Sequence, residues 1–171
     1  IWLSKAALFE SGKPVRGGVP VCWPWFGAVP DKPAHGFVRT RMWQMRAATT
    51  DAAEQMVLRL GISDDAETRV LWDHAFDLEL VVTVGQTLTL ALITRNTGDA
   101  PFEISQALHT YFCTSDITQT AVHGLDGCSF LDKVHGMVTG QQLGPVTFTG
   151  ETDRIYFDTT HSCRIEDPMQ R

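Results

Sequence analysis

The feature that most restricts this chain is a strict alternation over residues 76–95. In FDLELVVTV, Phe76, Leu78, Leu80, Val82 and Val84 share one parity, while Asp77, Glu79 and Thr83 share the other. Successive side chains of an extended strand point to opposite faces, so the pattern predicts a half-buried β-strand. Gly85-Gln86 follows as a turn. TLTLALI then returns with Leu88, Leu90 and Leu92 on one side, and the two runs predict a hairpin.

The same style of sequence continues. NTGDAP, residues 96–101, is a turn cluster, and PFEISQALHTYF reads as a further strand. Short strands are predicted near 117–122, 128–134, 145–149 and 153–158, punctuated by Gly and Asp in HGLDG, HGMVTG and TGETD. Residues 51–62 read as a turn and then a strand. One short helical segment is predicted near 64–72, in SDDAETRVLW. Many short strands with almost no helix imply an all-β sandwich or barrel. The 171 residues suffice for one core, and with no repeat or linker the expectation is a single domain over 1–171.

Charge narrows the partners. The formal net charge is −6, which argues against nucleic acid. Residues 13–46 nevertheless hold Lys13, Arg16, Lys32, Arg39, Arg41 and Arg46 against Asp31 alone. A basic island in an acidic protein holds a small anion while the wider surface repels polyanions; the same cations also suit a plain solvated surface. There is no run of 18 or more apolar residues, so no membrane span is expected. Cys22, Cys113, Cys128 and Cys163 have no C-x-x-C or zinc-finger spacing. They read as reduced thiols in a cytoplasmic protein. No H-E-x-x-H cluster, P-loop, dinucleotide fingerprint or nucleophile elbow is present, so neither metal nor cofactor is expected.

Several residues could carry chemistry. His109, in QALHTYF, falls on the side of its strand opposite to Phe102, Ile104, Leu108 and Phe112. It is open to two readings: an exposed residue on a solvated sheet, or a general acid or base lining a groove. In PAHGFVRTRMW, an extended run after Gly36 would put His35, Phe37, Arg39, Arg41 and Trp43 on one side. That is either an anion-sized cluster or a charged edge strand. In KPVRGGVPVCWPWFG, Arg16 stands beside Gly17-Gly18, which permit close backbone approach. Trp23, Trp25 and Phe26 in the same block either stack on a sugar or fill a core. Asp153, in GETDRIYF, either caps a turn or accepts from sugar hydroxyls. His74, His123, His135 and His161 carry no motif.

Taken in order, KPVRGGVPVCWPWFG, PAHGFVRTRMW, WDHAFDLEL, QALHTYF and TDRIYF resemble the hexose-6-phosphate mutarotases (glucose-6-phosphate 1-epimerases), a branch of the aldose 1-epimerase family. The resemblance implies a galactose-mutarotase-like β-supersandwich. It implies that His109 is the catalytic acid, that Arg16 and Arg39 bind substrate, that His35 lies in the pocket wall and that Asp153 contacts the sugar. It also implies a glutamate base in a C-terminal strand, and no residue here matches it; Glu151 and Glu166 stand in another context. Ile1 and Arg171 read as cuts, so strands of the full fold are expected beyond both ends.

The expected activity is interconversion of the α and β anomers of glucose 6-phosphate or a related hexose 6-phosphate. The alternatives are a non-catalytic sugar-phosphate binding module and an aldose 1-epimerase for a neutral sugar. The expected partner is a small sugar phosphate, with no nucleic acid and no membrane, and the expected state is a monomer.

Overall fold

The computed structural model describes residues 1–10 and 12–169, so the chain end at Arg171 lies outside the described residues. The chain forms two compact units, Ile1–Phe112 and Cys113–Arg171.

In the first unit the strands are β1 (Val21–Cys22), β2 (Gln44–Thr50), β3 (Met56–Ser63), β4 (Phe76–Val84), β5 (Leu88–Asn96) and β6 (Ala107–Leu108). β2 to β5 form a four-stranded antiparallel sheet in chain order, and β1 pairs with β6. The predicted hairpin is present: β4 and β5 pair without a break from Phe76↔Asn96 to Val84↔Leu88. Its alternation does what the sequence requires. Phe76 and Leu78 are buried, and cross-strand neighbours Ile62 and Thr94 flank Leu78 on the same face. On that face Trp23, Trp25, Phe37 and Val38 complete the core. Trp23 meets Phe76 at 4.5 Å between ring centroids and Trp72 edge-on at 5.1 Å. Fully burying one such side chain stabilises the fold by roughly 1.5–3 kcal/mol. The indole N–H groups are not stranded: Trp23 donates to Thr94 Oγ1, Trp25 to the Pro33 carbonyl and Trp43 to the Val38 carbonyl. Trp23 and Trp25 therefore belong to the core, while Phe26 is exposed.

The other face of the sheet is ionic. Arg46 pairs with Asp77 and Glu79, Arg59 with Glu79, and Arg95 with Asp77 at 3.4 Å. The helical segment is α1 (Ala66–Leu71). Asp65 caps it by accepting from the Thr68 N–H, while Thr68 Oγ1 accepts from the Asp65 N–H.

Two expected strands are absent in their predicted form. Residues 33–43 do not run as a strand; Val38–Thr40 is a 3₁₀ turn. The reason is that the consecutive residues Phe37 and Val38 are both buried, which a strand facing one core cannot achieve. The shared parity of His35, Arg39 and Arg41 fails with it. Residues 101–112 are ladder-paired only at Ala107–Leu108. Elsewhere the segment is tied by single bonds, Ser105 N–H to the Pro24 carbonyl, His109 N–H to that of Pro20 and Tyr111 N–H to that of Gly18. The apolar set predicted there is split as well: Phe102 and Ile104 pack on the core, but Phe112 is exposed.

The second unit contains β7 (Ala121–His123), β8 (Ser129–Asp132), β9 (Val138–Gln141), β10 (Val146–Thr147), β11 (Arg154–Tyr156) and β12 (Arg164–Glu166). They form two three-stranded antiparallel sheets, β10-β7-β12 and β11-β8-β9. A polar network sits within this unit. Asp132 accepts from the His135 N–H and from Arg154 Nε, and Gln142 Oε1 accepts from the Tyr156 hydroxyl at 2.8 Å. The described residues are thus all-β with one short α-helix. Among the described residues no helix is long and apolar enough to cross a membrane.

Candidate active site

His109 sits just after β6, exposed, in the extended segment that runs beside residues 18–20. Its ring lies 5.0 Å from that of Tyr111, centroid to centroid. Among the described residues its ring nitrogens have no hydrogen-bond partner. An imidazole mounted this way can offer either nitrogen to a ligand.

Arg16 belongs to the neighbouring segment. Its carbonyl accepts from the Ser4 N–H, and its side chain is exposed. The adjoining glycines serve the backbone in different ways. Gly17, at φ +132°, abuts the first residues of the chain: a Cβ there would stand 2.6 Å from Leu3 Cα. Gly18, at φ +69°, has open space where a Cβ would be and is there for its left-handed conformation. The close approach is thus to the chain's own Leu3.

Arg39 is half-buried. Its Nη2 donates to the Ala34 carbonyl at 2.8 Å, while its buried Nε has no partner. It lines a cavity of about 270 Å³ with Val15, Gly17, Trp43, Leu60 and Leu80. Burial pushes the nearby Cys22 thiol up in pKa, and the Arg39 charge opposes that shift. His35 adopts φ +64°; its N–H donates to the Gly27 carbonyl at 2.7 Å, and its Nδ1 accepts from the Gly27 N–H at 3.2 Å. That pair of bonds closes the loop 27–35 and leaves the ring tilted against the exposed Phe26, 4.8 Å between centroids.

Asp153 lies in the second unit, just ahead of β11. Its carboxylate accepts from Lys133 Nζ at 2.6 Å, and its carbonyl accepts from the Lys133 N–H. A larger cavity of the first unit, about 580 Å³, is lined by Thr40, Arg41, Gln44, Ser63 and the acids Asp64, Asp65 and Glu67. Its carboxylates are already engaged, Asp65 and Glu67 by Arg41 and Asp64 by Arg69. Neither cavity is lined by Arg16, His35 or His109. The backbone does bring the Arg16 and His109 segments side by side, through the Tyr111–Gly18 and His109–Pro20 bonds. Arg39 joins this neighbourhood through the cavity that it shares with Gly17 and Pro20.

Compared with known proteins, the whole of residues 1–171 matches the aldose 1-epimerase family model. The chain belongs to the aldose 1-epimerase family. Within that family it is 38% identical, over 98% of its length and 56% of the relative's, to an Escherichia coli protein named "Putative glucose-6-phosphate 1-epimerase". A protein of the same name from Cenchrus ciliaris is 31% identical over 98% of this chain and 54% of its own. The chain therefore spans about half the length of the curated relatives it matches. Among solved structures, a "putative mutarotase" from Salmonella typhimurium superposes with a TM-score of 0.89 at 37% identity, covering 97% of this chain and 55% of that one. A protein of Synechocystis sp. PCC 6803 shares the fold, with a TM-score of 0.84 at 21% identity over 98% of this chain and 61% of its own. The expected all-β mutarotase fold class is the one observed.

Sequence reasoning passed over two neighbours of its candidates. Tyr111 was visible only as a residue of the same parity as His109. Lys133 carried no local signal, because its partner Asp153 is distant in the chain and reached through the β8–β11 pairing.

Proposed function

We propose that the protein containing this chain interconverts the α and β anomers of a hexose 6-phosphate, with glucose 6-phosphate as the simplest substrate. The observation that carries this reading is the 38% identity over nearly the whole chain to a relative bearing that activity in its name. In the reaction His109 gives a proton to the ring oxygen while a carboxylate base takes the proton of the C1 hydroxyl. The C1–O5 bond breaks, and an aldehyde forms at C1. Rotation about C1–C2 presents the other carbonyl face, and the two proton transfers run in reverse as the ring closes. Each positioned acid or base contributes about 10²–10⁴-fold. The base is a glutamate that no residue of this chain is assigned to supply.

The exposed Arg16 and the half-buried Arg39 are the proposed ligands of the phosphate and sugar oxygens, since a guanidinium fork matches a phosphate. His35 contributes to the pocket wall, and Asp153 accepts from sugar hydroxyls. The two units are parts of one domain, a reading supported by the family match across both. The protein acts as a monomer in the cytoplasm, where charged sugar phosphates are retained, with neither metal nor cofactor and no nucleic-acid partner. Exchange NMR on glucose 6-phosphate and on glucose tests the reading. Accelerated exchange of the phosphate alone is expected. Equal acceleration of both indicates a neutral-sugar epimerase, and binding without acceleration indicates a binding module; either result contradicts the proposal.

A further inference from the structure

The rings around His109 form a ladder. Tyr111 lies 5.0 Å from His109 on one side and 5.9 Å from Trp2 on the other, the Trp2–Tyr111 pair being stacked with 30° between the planes. Residues two apart on an extended chain project to the same side, and here both N–H groups bond to one neighbouring segment, at the Pro20 and Gly18 carbonyls. Tyr111 is mounted more firmly than its neighbour. Its N–H donates to Gly18, its carbonyl accepts from the Trp2 N–H at 2.9 Å, and the Trp2 carbonyl accepts from the Gly18 N–H at 2.8 Å. Three segments are therefore laced together beneath the half-buried tyrosine, while the imidazole beside it is exposed.

Among the described residues no hydrogen bond fixes the His109 ring, and the aromatic ring that meets it is that of Tyr111. We infer that Tyr111, backed by Trp2, is the positioning residue of His109. An acid that must reach a ring oxygen needs a defined ring orientation and an open nitrogen. A carboxylate partner supplies the first by occupying one nitrogen. An aromatic face supplies it while leaving both nitrogens for the ligand. The inference rests on the reading of His109 as the acid, and it adds a residue that touches the acid rather than the sugar. Displacing the ring by about an ångström would cost up to roughly 10²-fold in rate without weakening binding of the sugar.

The test compares Tyr111→Leu with Tyr111→Phe in the protein that contains this chain, reading two quantities. One is the position of the His109 imidazole proton resonances, which feel the ring current of Tyr111 whatever the protein catalyses. The other is the kcat and KM of anomer exchange on glucose 6-phosphate. Tyr111→Leu is expected to move the imidazole resonances and to lower kcat by about tenfold or more, with KM changed by less than about twofold. Tyr111→Phe keeps the ring and restores both. Imidazole resonances that stay in place in Tyr111→Leu overturn the inference, as does a fall in KM and kcat that Tyr111→Phe does not restore. If His109→Ala leaves exchange intact, the assignment of the acid fails, and the inference fails with it, while the resonance shifts still report whether Tyr111 lies against the imidazole.

Discussion

The guanidinium of Arg46 lies across Gly61, so that a Cβ on the glycine would stand 1.8 Å from Arg46 Nε. The missing side chain is what lets Arg46 of β2 cross β3 and reach Asp77 and Glu79 on β4. Gly61→Ala should therefore displace Arg46 and lower stability by about 1 kcal/mol, a figure kept small because the pair is partly exposed. In an Arg46→Ala background the same substitution should cost close to nothing. Urea denaturation of the four variants measures the coupling. Additive effects would show that the two residues do not interact.

Acid should act on the same network. The hydrogen bond from Arg46 holds the Asp77 carboxyl below its usual pKa, with a smaller contribution from Ser63 and against the opposing effect of burial. A depressed folded-state pKa stabilises the fold above the unfolded value of about 3.9. That stabilisation is lost as pH falls from there through the folded value. Asp77→Asn should be less stable than the native chain at pH 6, and the gap should shrink by pH 3. Denaturation midpoints that run parallel across this range would contradict the sign.

Two glycines with similar backbone angles should respond very differently to alanine. Gly36, at φ +74°, bridges to Trp23, and a Cβ there would meet the Trp23 carbonyl oxygen at 1.8 Å and its nitrogen at 2.9 Å. These are backbone atoms beside a fully buried indole, so nothing nearby can give way. Gly36→Ala should cost at least about 4 kcal/mol and prevent stable folding. Gly18 has φ +69° and open space, so Gly18→Ala should cost only about 1–2 kcal/mol of backbone strain. Thermal unfolding of the two variants makes the comparison; equal losses would refute it.

Asp153 is half exposed and paired with Lys133 across the surface of the second unit. Asp153→Ala should change stability by less than about 1 kcal/mol. Because Asp153 is a proposed sugar ligand, its loss should nevertheless weaken glucose 6-phosphate binding by about tenfold or more, the effect of one charged hydrogen bond of roughly 1.5–3 kcal/mol. Calorimetric titration reads the affinity directly, and an unchanged affinity would remove Asp153 from the site.

The hairpin was legible because its pattern is local: alternation over β4 and β5, interrupted only at Gly85-Gln86, fixes both face and register. The short helix expected near 64–72 is present as Ala66–Leu71, and the structure adds the Asp65–Thr68 capping box that starts it. Residues 33–43 were not legible. Their shape is set by distant partners, the Trp23 carbonyl that accepts from the Phe37 N–H and the core that takes Phe37 and Val38 together. In the second unit the strands Val138–Gln141 and Arg164–Glu166 escaped notice because so few residues show no period. At the candidate site, His109 is exposed, as its parity against Phe102 and Ile104 allowed, but the parity does not hold through the segment, because Leu108 and Phe112 are exposed as well. The setting of Arg39 did not follow from the sequence, because the cavity it lines is assembled from Val15, Trp43, Leu60 and Leu80, far apart in the chain.

The account turns on His109 as the proton donor to the sugar ring. The direct measurement is magnetisation exchange between the anomeric protons of glucose 6-phosphate at equilibrium, with the protein that contains this chain and with its His109→Ala variant. Enzyme-dependent exchange should be present in the first and lost in the second by at least about 10²-fold, while the variant still binds the sugar phosphate. Exchange at the same rate in both would contradict the claim.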